Sequence, residues 1–104
     1  MPPAAGESRA AENCTTMTEV RAGVDATDQA LVALLARRFA FMAAAARIKP
    51  DRAAVRDEAR KAQVIANVRA EAERLGLPAD RIADLWDKLV EHSIAHEFEV
   101  FDRR

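Results

Sequence analysis

Tyrosine is absent from the 104 residues, and the remaining aromatic rings are four phenylalanines and one tryptophan. Half of the residues are apolar, but many of these are alanines, so the interior that one chain can build is thin. A chain this short also buries only a modest fraction of its surface when it folds alone, so association is expected before any motif is read. Cys14 is the single cysteine, which excludes an intrachain disulfide and suits a reducing compartment. Neither sign of charge is in excess: sixteen basic residues stand against seventeen acidic ones, which gives no reason to expect nucleic acid or an anionic membrane as partner. No apolar run approaches the ~20 residues of a membrane span. The stretch Met1 to Asn13 lacks the apolar centre of a signal peptide. These absences point to a cytoplasmic protein. Alternation of period two is missing as well, so no strand is expected, and there is no internal repeat.

Helical periodicity is what the chain does have. Residues 1–15, with Pro2, Pro3 and Gly6, show no apolar pattern and are expected to form a disordered tail. A single helical domain is expected over 16–104. Thr16-Met17-Thr18-Glu19 is a capping box. After it Val20, Val24, Leu31, Leu34, Leu35, Phe41, Met42, Ala45 and Ile48 recur at helical steps, up to Lys49, where Pro50 disfavours continuation. About 32 residues at ~1.5 Å each make a rod near 50 Å, too long for a globule of this size without a partner chain. Pro50 to Ala54 is a loop. A second helix is expected over 55–75, with Val64, Ile65, Val68, Ala72 and Leu75 inward and Gly76 as its left-handed cap. The third begins near Pro78 and buries Ile82, Leu85, Trp86, Leu89, Val90, Ile94, Phe98 and Phe101. The fold class is therefore all-α, three helices per chain with a long first helix.

Several charges lie on or beside the apolar faces. Arg38 follows Leu31, Leu34 and Leu35 at helical spacing, and Lys49, 11 positions later, falls ~20° from it around the helix. Arg21 lies near the start of the first helix and Arg60 near the start of the second. Ser93 and Glu97 are an i, i+4 pair in register with Ile82, Trp86 and Leu89. Most helical arginines are solvated or sit in surface ion pairs, and Arg37, Arg47, Arg52, Arg56, Arg69 and Arg74 fit that description. Arg38 and Lys49 share a stripe with core residues, where an unpaired cation is costly, so an anion should answer them. His92 and His96 are also spaced i, i+4, but the glutamate of a zinc-hydrolase motif and a third ligand are missing. No metal is expected. Cys14 in a tail reads as inert, Trp86 as a core anchor, and Phe39, Phe41 and Met42 as core or dimer contacts.

Arg21-x-x-Val24-x-x-x-Asp28-x-x-Leu31, then Leu34-Leu35-Ala36-Arg37-Arg38, then Ile48-Lys49, resembles the first helix of the AroQ-type chorismate mutases. Val55-Arg56-Asp57-x-x-Arg60 resembles the start of their second helix and Ser93-x-x-x-Glu97 their third-helix site. The likeness covers about residues 17–102. It implies an intertwined helical homodimer that rearranges chorismate to prephenate in aromatic amino-acid biosynthesis, without cofactor. Arg21 and Arg38 are 17 residues apart, ~25 Å along one helix, so a small ligand cannot touch both in one chain. The resemblance implies that Arg21 is donated across the dimer.

In that arrangement Arg21 of the partner, Arg38 and Arg60 clamp two carboxylates, with Ser93 adding a hydrogen bond. Lys49 and Glu97 face the ether oxygen, and Asp57 lies near the ring hydroxyl. Lys49, Glu97 and Arg38 are the implied catalytic residues. There are two departures. Many family members carry glutamine where Glu97 stands, and only the acid form of a carboxyl donates a hydrogen bond. Lys61 occupies a position where the bacterial mutase pattern has a glutamate that contacts the ring hydroxyl. Glu12-Asn13-Cys14-Thr15 followed by Arg21-x-x-Val24-Asp25 also resembles the isochorismate pyruvate lyase branch, which forms salicylate and pyruvate. The ligand is thus chorismate or isochorismate. A 4-amino-4-deoxychorismate mutase and a non-catalytic helical dimer are the remaining readings.

Overall fold

The computed structural model describes residues 10–104. Among them the chain is all-helical, with helices α1 (Met17–Ile48), α2 (Glu58–Arg74) and α3 (Ala79–Asp102) and no strand. Short 3₁₀ turns at Ala11–Asn13 and Arg52–Ala54 precede α1 and α2. Of the tail expected over 1–15, residues 1–9 lie outside the described residues, and Ala11–Asn13 makes the first of these turns. No helix among the described residues is long and apolar enough to cross a membrane. The chain divides into two compact units, the first ending at Arg38 and the second beginning at Phe39.

In the first unit, the capping box opens α1. The Glu19 N–H donates to Thr16 Oγ1 at 3.2 Å. Glu19 Oε1 in return accepts from the Thr15 N–H at 3.2 Å and from both threonine hydroxyls at 3.1 Å. The reciprocal bond thus comes from one residue further back than in the standard box, the Thr15 N–H. None of residues 10–38 is buried. The expected apolar stripe faces solvent in the isolated protomer, with Val24 52%, Leu31 51% and Leu34 59% exposed.

In the second unit, α1 runs on to the Lys49 N–H, which donates to Ala45 O at 2.9 Å. The Arg104 guanidinium then takes up carbonyls that the helix end leaves unpaired. It donates to Ala46 O at 3.1 Å, Lys49 O at 2.7 Å and Pro50 O at 3.3 Å, and its carbon sits 3.7 Å above the Phe101 ring. A cation here also meets the negative end of the helix dipole.

The second helix starts at Glu58 rather than at the expected Val55. Asp57 is the better N-cap: its Oδ1 accepts the Arg60 N–H at 2.9 Å, which holds Asp57 in an extended conformation outside the helix. Val55 is left in the preceding loop and buried at 2% exposure. At the far end Gly76 adopts φ 72°, with Leu77 N–H on Ala72 O at 2.8 Å and Gly76 N–H on Glu73 O at 3.1 Å. This is a Schellman closure. A Cβ at Gly76 would meet nothing within 4 Å, so Gly76→Ala tests the backbone alone. It is expected to destabilise the fold by about 1 kcal/mol, read as a lower urea midpoint at unchanged slope.

The core of this unit is small. Val55, Val90 and Ile94 are buried, with Val64, Ile65, Trp86, Phe98 and Phe101 packed against them. Ala46, Ala72 and Ala83 are buried as well. Leu75 and Leu85, expected inward, are both 58% exposed; Leu75 is the C-cap that follows the last residue of α2.

Candidate active site

The end of α1 and the C-terminal half of α3 bring two opposite charges together. Lys49 Nζ lies 2.8 Å from Glu97 Oε1. The Glu97 residue is 3% exposed and Ser93, one turn earlier, 2%. Lys49 Nζ also donates to the Val55 carbonyl at 3.3 Å, which ties the ammonium to the loop ahead of α2. An ammonium has three donors, and these two partners leave one for a ligand. The contact with Glu97 is an ion pair without the alignment of a good hydrogen bond, and among the described residues no donor makes a directed hydrogen bond to Oε1. A buried carboxyl oxygen in that condition is a ready acceptor, or in its acid form a donor, toward something that enters beside Lys49.

Other expected site residues are placed as follows. Asp57 spends one oxygen on the cap of α2. Arg60, in the first turn of α2, is exposed, and its Nη1 donates to Gln63 Oε1 at 2.7 Å. The Ser93 hydroxyl donates to the Leu89 carbonyl of its own helix at 2.7 Å, so it must turn away from that carbonyl to serve a ligand. In the first unit, Arg21 is exposed on the second turn of α1 and Arg38 is half-buried. His92 is exposed, and the His96 ring packs edge-on against Phe39, with 5.1 Å between centroids.

Lys61, the departure from the mutase pattern, is answered within the chain. Its ammonium bridges Asp87 at 2.9 Å and Glu91 at 2.8 Å on α3. The other Glu91 oxygen is 2.8 Å from Arg56 Nη2, and Arg56 also pairs with Glu58 at 2.9 Å. Hydrogen bonds from Arg56 and then Lys61 hold the Glu91 carboxyl down at about 2, and the same bonds raise both cations. A carboxyl depressed below the free value of about 4.3 stabilises the fold fully above that value and loses the contribution as pH falls toward 2. Glu91→Gln should therefore flatten the decline in melting temperature between about pH 4.5 and 2 while leaving its pH dependence near neutrality unaltered. The network was not foreseen. Its partners are 30 and 35 residues apart, and helical spacing reveals only near neighbours on one helix.

Residues 20–98 match the chorismate mutase type II family, which spans most of the chain, so this protein belongs to that enzyme family. The isochorismate pyruvate lyase of Pseudomonas aeruginosa is 30% identical over 88 residues, covering 85% of this chain and 87% of that protein.

Proposed function

We propose that the protein is a chorismate mutase acting as a homodimer, with each active site completed by Arg21 of the second copy. The observation that carries this reading is the Lys49–Glu97 pair, an ammonium with a spare donor beside a buried carboxyl. The Claisen rearrangement needs no nucleophile or metal. It requires that a folded near-attack conformer be held and that negative charge growing on the ether oxygen be stabilised. The positive charge of Lys49 meets it there. Arg38, Arg60 and the partner's Arg21 fix the two substrate carboxylates by forked hydrogen bonds. Ser93 adds a donor once it turns from Leu89, and Asp57 offers its second oxygen to the ring hydroxyl. The need for a second copy is supported by the first unit, where Val24, Leu31, Val32 and Leu34 are more than half exposed and none of residues 10–38 is buried.

The isochorismate pyruvate lyase reading is favoured by the Pseudomonas relative. Both reactions use a cationic clamp on a dicarboxylate. Incubating the protein with chorismate and with isochorismate, and following prephenate and salicylate, separates them. Turnover of neither, together with no rise in melting temperature when either dianion is added, would leave a non-catalytic helical dimer and overturn both.

Glu97 makes its own prediction. It is buried against Lys49, and a carboxylate there only accepts hydrogen bonds, whereas an amide also donates. Glu97→Gln therefore offers the ether oxygen a second donor beside Lys49, and kcat is expected to hold or rise. A fall of more than about tenfold, read from initial rates at saturating substrate, would mean that the reaction needs the carboxyl group itself.

A further inference from the structure

We infer that Glu91 is a positioning residue, which holds the first turn of α2 and through it sets the direction in which Arg60 is presented to the substrate. The inference rests on the proposed reading of Arg60 as a substrate clamp.

Val64 and Ile65 of α2 pack against the cluster that holds Val90 and Ile94 of α3. The first turn of α2 lies ahead of that packing, with Glu58, Ala59 and Arg60 all exposed, and charges hold it instead. Glu91 accepts from Arg56 just ahead of α2 and from Lys61 in its first turn, and Asp87 holds Lys61 from one turn away on α3. These contacts bracket Asp57 and Arg60 in sequence. Lys61 and Arg60 are consecutive, so their side chains leave the helix ~100° apart; fixing the first against α3 fixes the second. Glu91 and Glu97 are six positions apart, ~120° round α3, so the clamp stands on a different flank from the Lys49–Glu97 pair and does not compete with it. Gln63, which accepts from Arg60, completes the hold on the guanidinium.

Positioning through Arg60 predicts a change in substrate binding rather than in the chemical step. With Glu91→Gln, KM for the substrate that the wild type turns over is expected to rise about fivefold or more, with kcat within about twofold. Lys61→Met should do the same, and Lys61→Arg, which keeps both ion pairs, should restore most of the loss. Amide hydrogen exchange gives a second readout at a temperature where all the variants are folded: the Arg60 and Lys61 amides should exchange several-fold faster in Glu91→Gln, with the last turn of α2 unaffected. An unchanged KM in both variants, or wild-type exchange at Arg60 and Lys61, overturns the role of Glu91 and leaves the proposed function standing. A wild-type protein that turns over neither substrate sinks the proposed function, and this role with it.

Discussion

Lys49→Ala is expected to lower kcat by about 10²- to 10³-fold, the usual cost of removing one preorganised donor from a site where charge develops. It should also weaken the fold, because Glu97, at 3% exposure, loses the cation 2.8 Å away. Breaking a fully buried pair from one side costs ~3–5 kcal/mol. The Lys49 side chain is 28% exposed, and its site admits water, so about 2 kcal/mol is the reasonable size here. The two losses have separate cures. Adding Glu97→Gln to Lys49→Ala removes the orphaned carboxylate and should return most of the stability, yet activity should stay low, because the amide carries no positive charge to meet the ether oxygen. Thermal melts and initial rates on wild type, both single variants and the double variant decide it. If the double variant regains both stability and rate, Lys49 is a structural counter-ion and the mechanism is wrong.

The fold was legible because each helix announces itself locally. Thr16 and Glu19 open α1, Pro50 follows its end and Gly76 closes α2, all through contacts within a few residues. The start of α2 was misplaced for a local reason too, since Val55 continues the apolar pattern while Asp57 is the stronger cap. The candidate site was legible as residue types. Ser93 and Glu97 at i, i+4 on a stripe with Trp86 read correctly as inward, and both are buried. What periodicity could not yield were long-range partnerships: Lys61 with Asp87 and Glu91, Arg104 reaching back 55 residues to the Lys49 carbonyl, and Lys49 beside Glu97, which only the family resemblance brought together. Each of these depends on how helices approach one another, which a periodicity along one chain does not encode. Lys61 shows the consequence. Read as a departure in the site, it raised a question about the hydroxyl contact; its two carboxylate partners make it a tie between helices.

Mixing two inactive variants should create an active protein. Arg21→Ala removes a clamp that each chain is proposed to lend, and Lys49→Ala removes a group that each chain keeps. Either homodimer then has both of its sites damaged. In a dimer with one chain of each kind, the sites are no longer equivalent. One combines Lys49 from the Arg21→Ala chain with Arg21 from the Lys49→Ala chain and is intact; the other carries both lesions. Equal amounts, unfolded and refolded together so that subunits exchange at random, give heterodimers as about half of all dimers, with one working site of two, so about a quarter of wild-type activity should return. Either variant alone should show at most a few per cent of wild-type rate, since losing one forked carboxylate contact or the central ammonium costs several kcal/mol of transition-state binding. The gain on mixing is therefore about tenfold or more. Refolding each variant separately and then combining them without exchange is the control and should give no gain. Variants that stay dead after co-refolding, in a sample that size-exclusion shows to be dimeric, would mean that Arg21 serves its own chain or no site at all. The exposed leucines of the first unit would then need another explanation than a partner that returns an arginine.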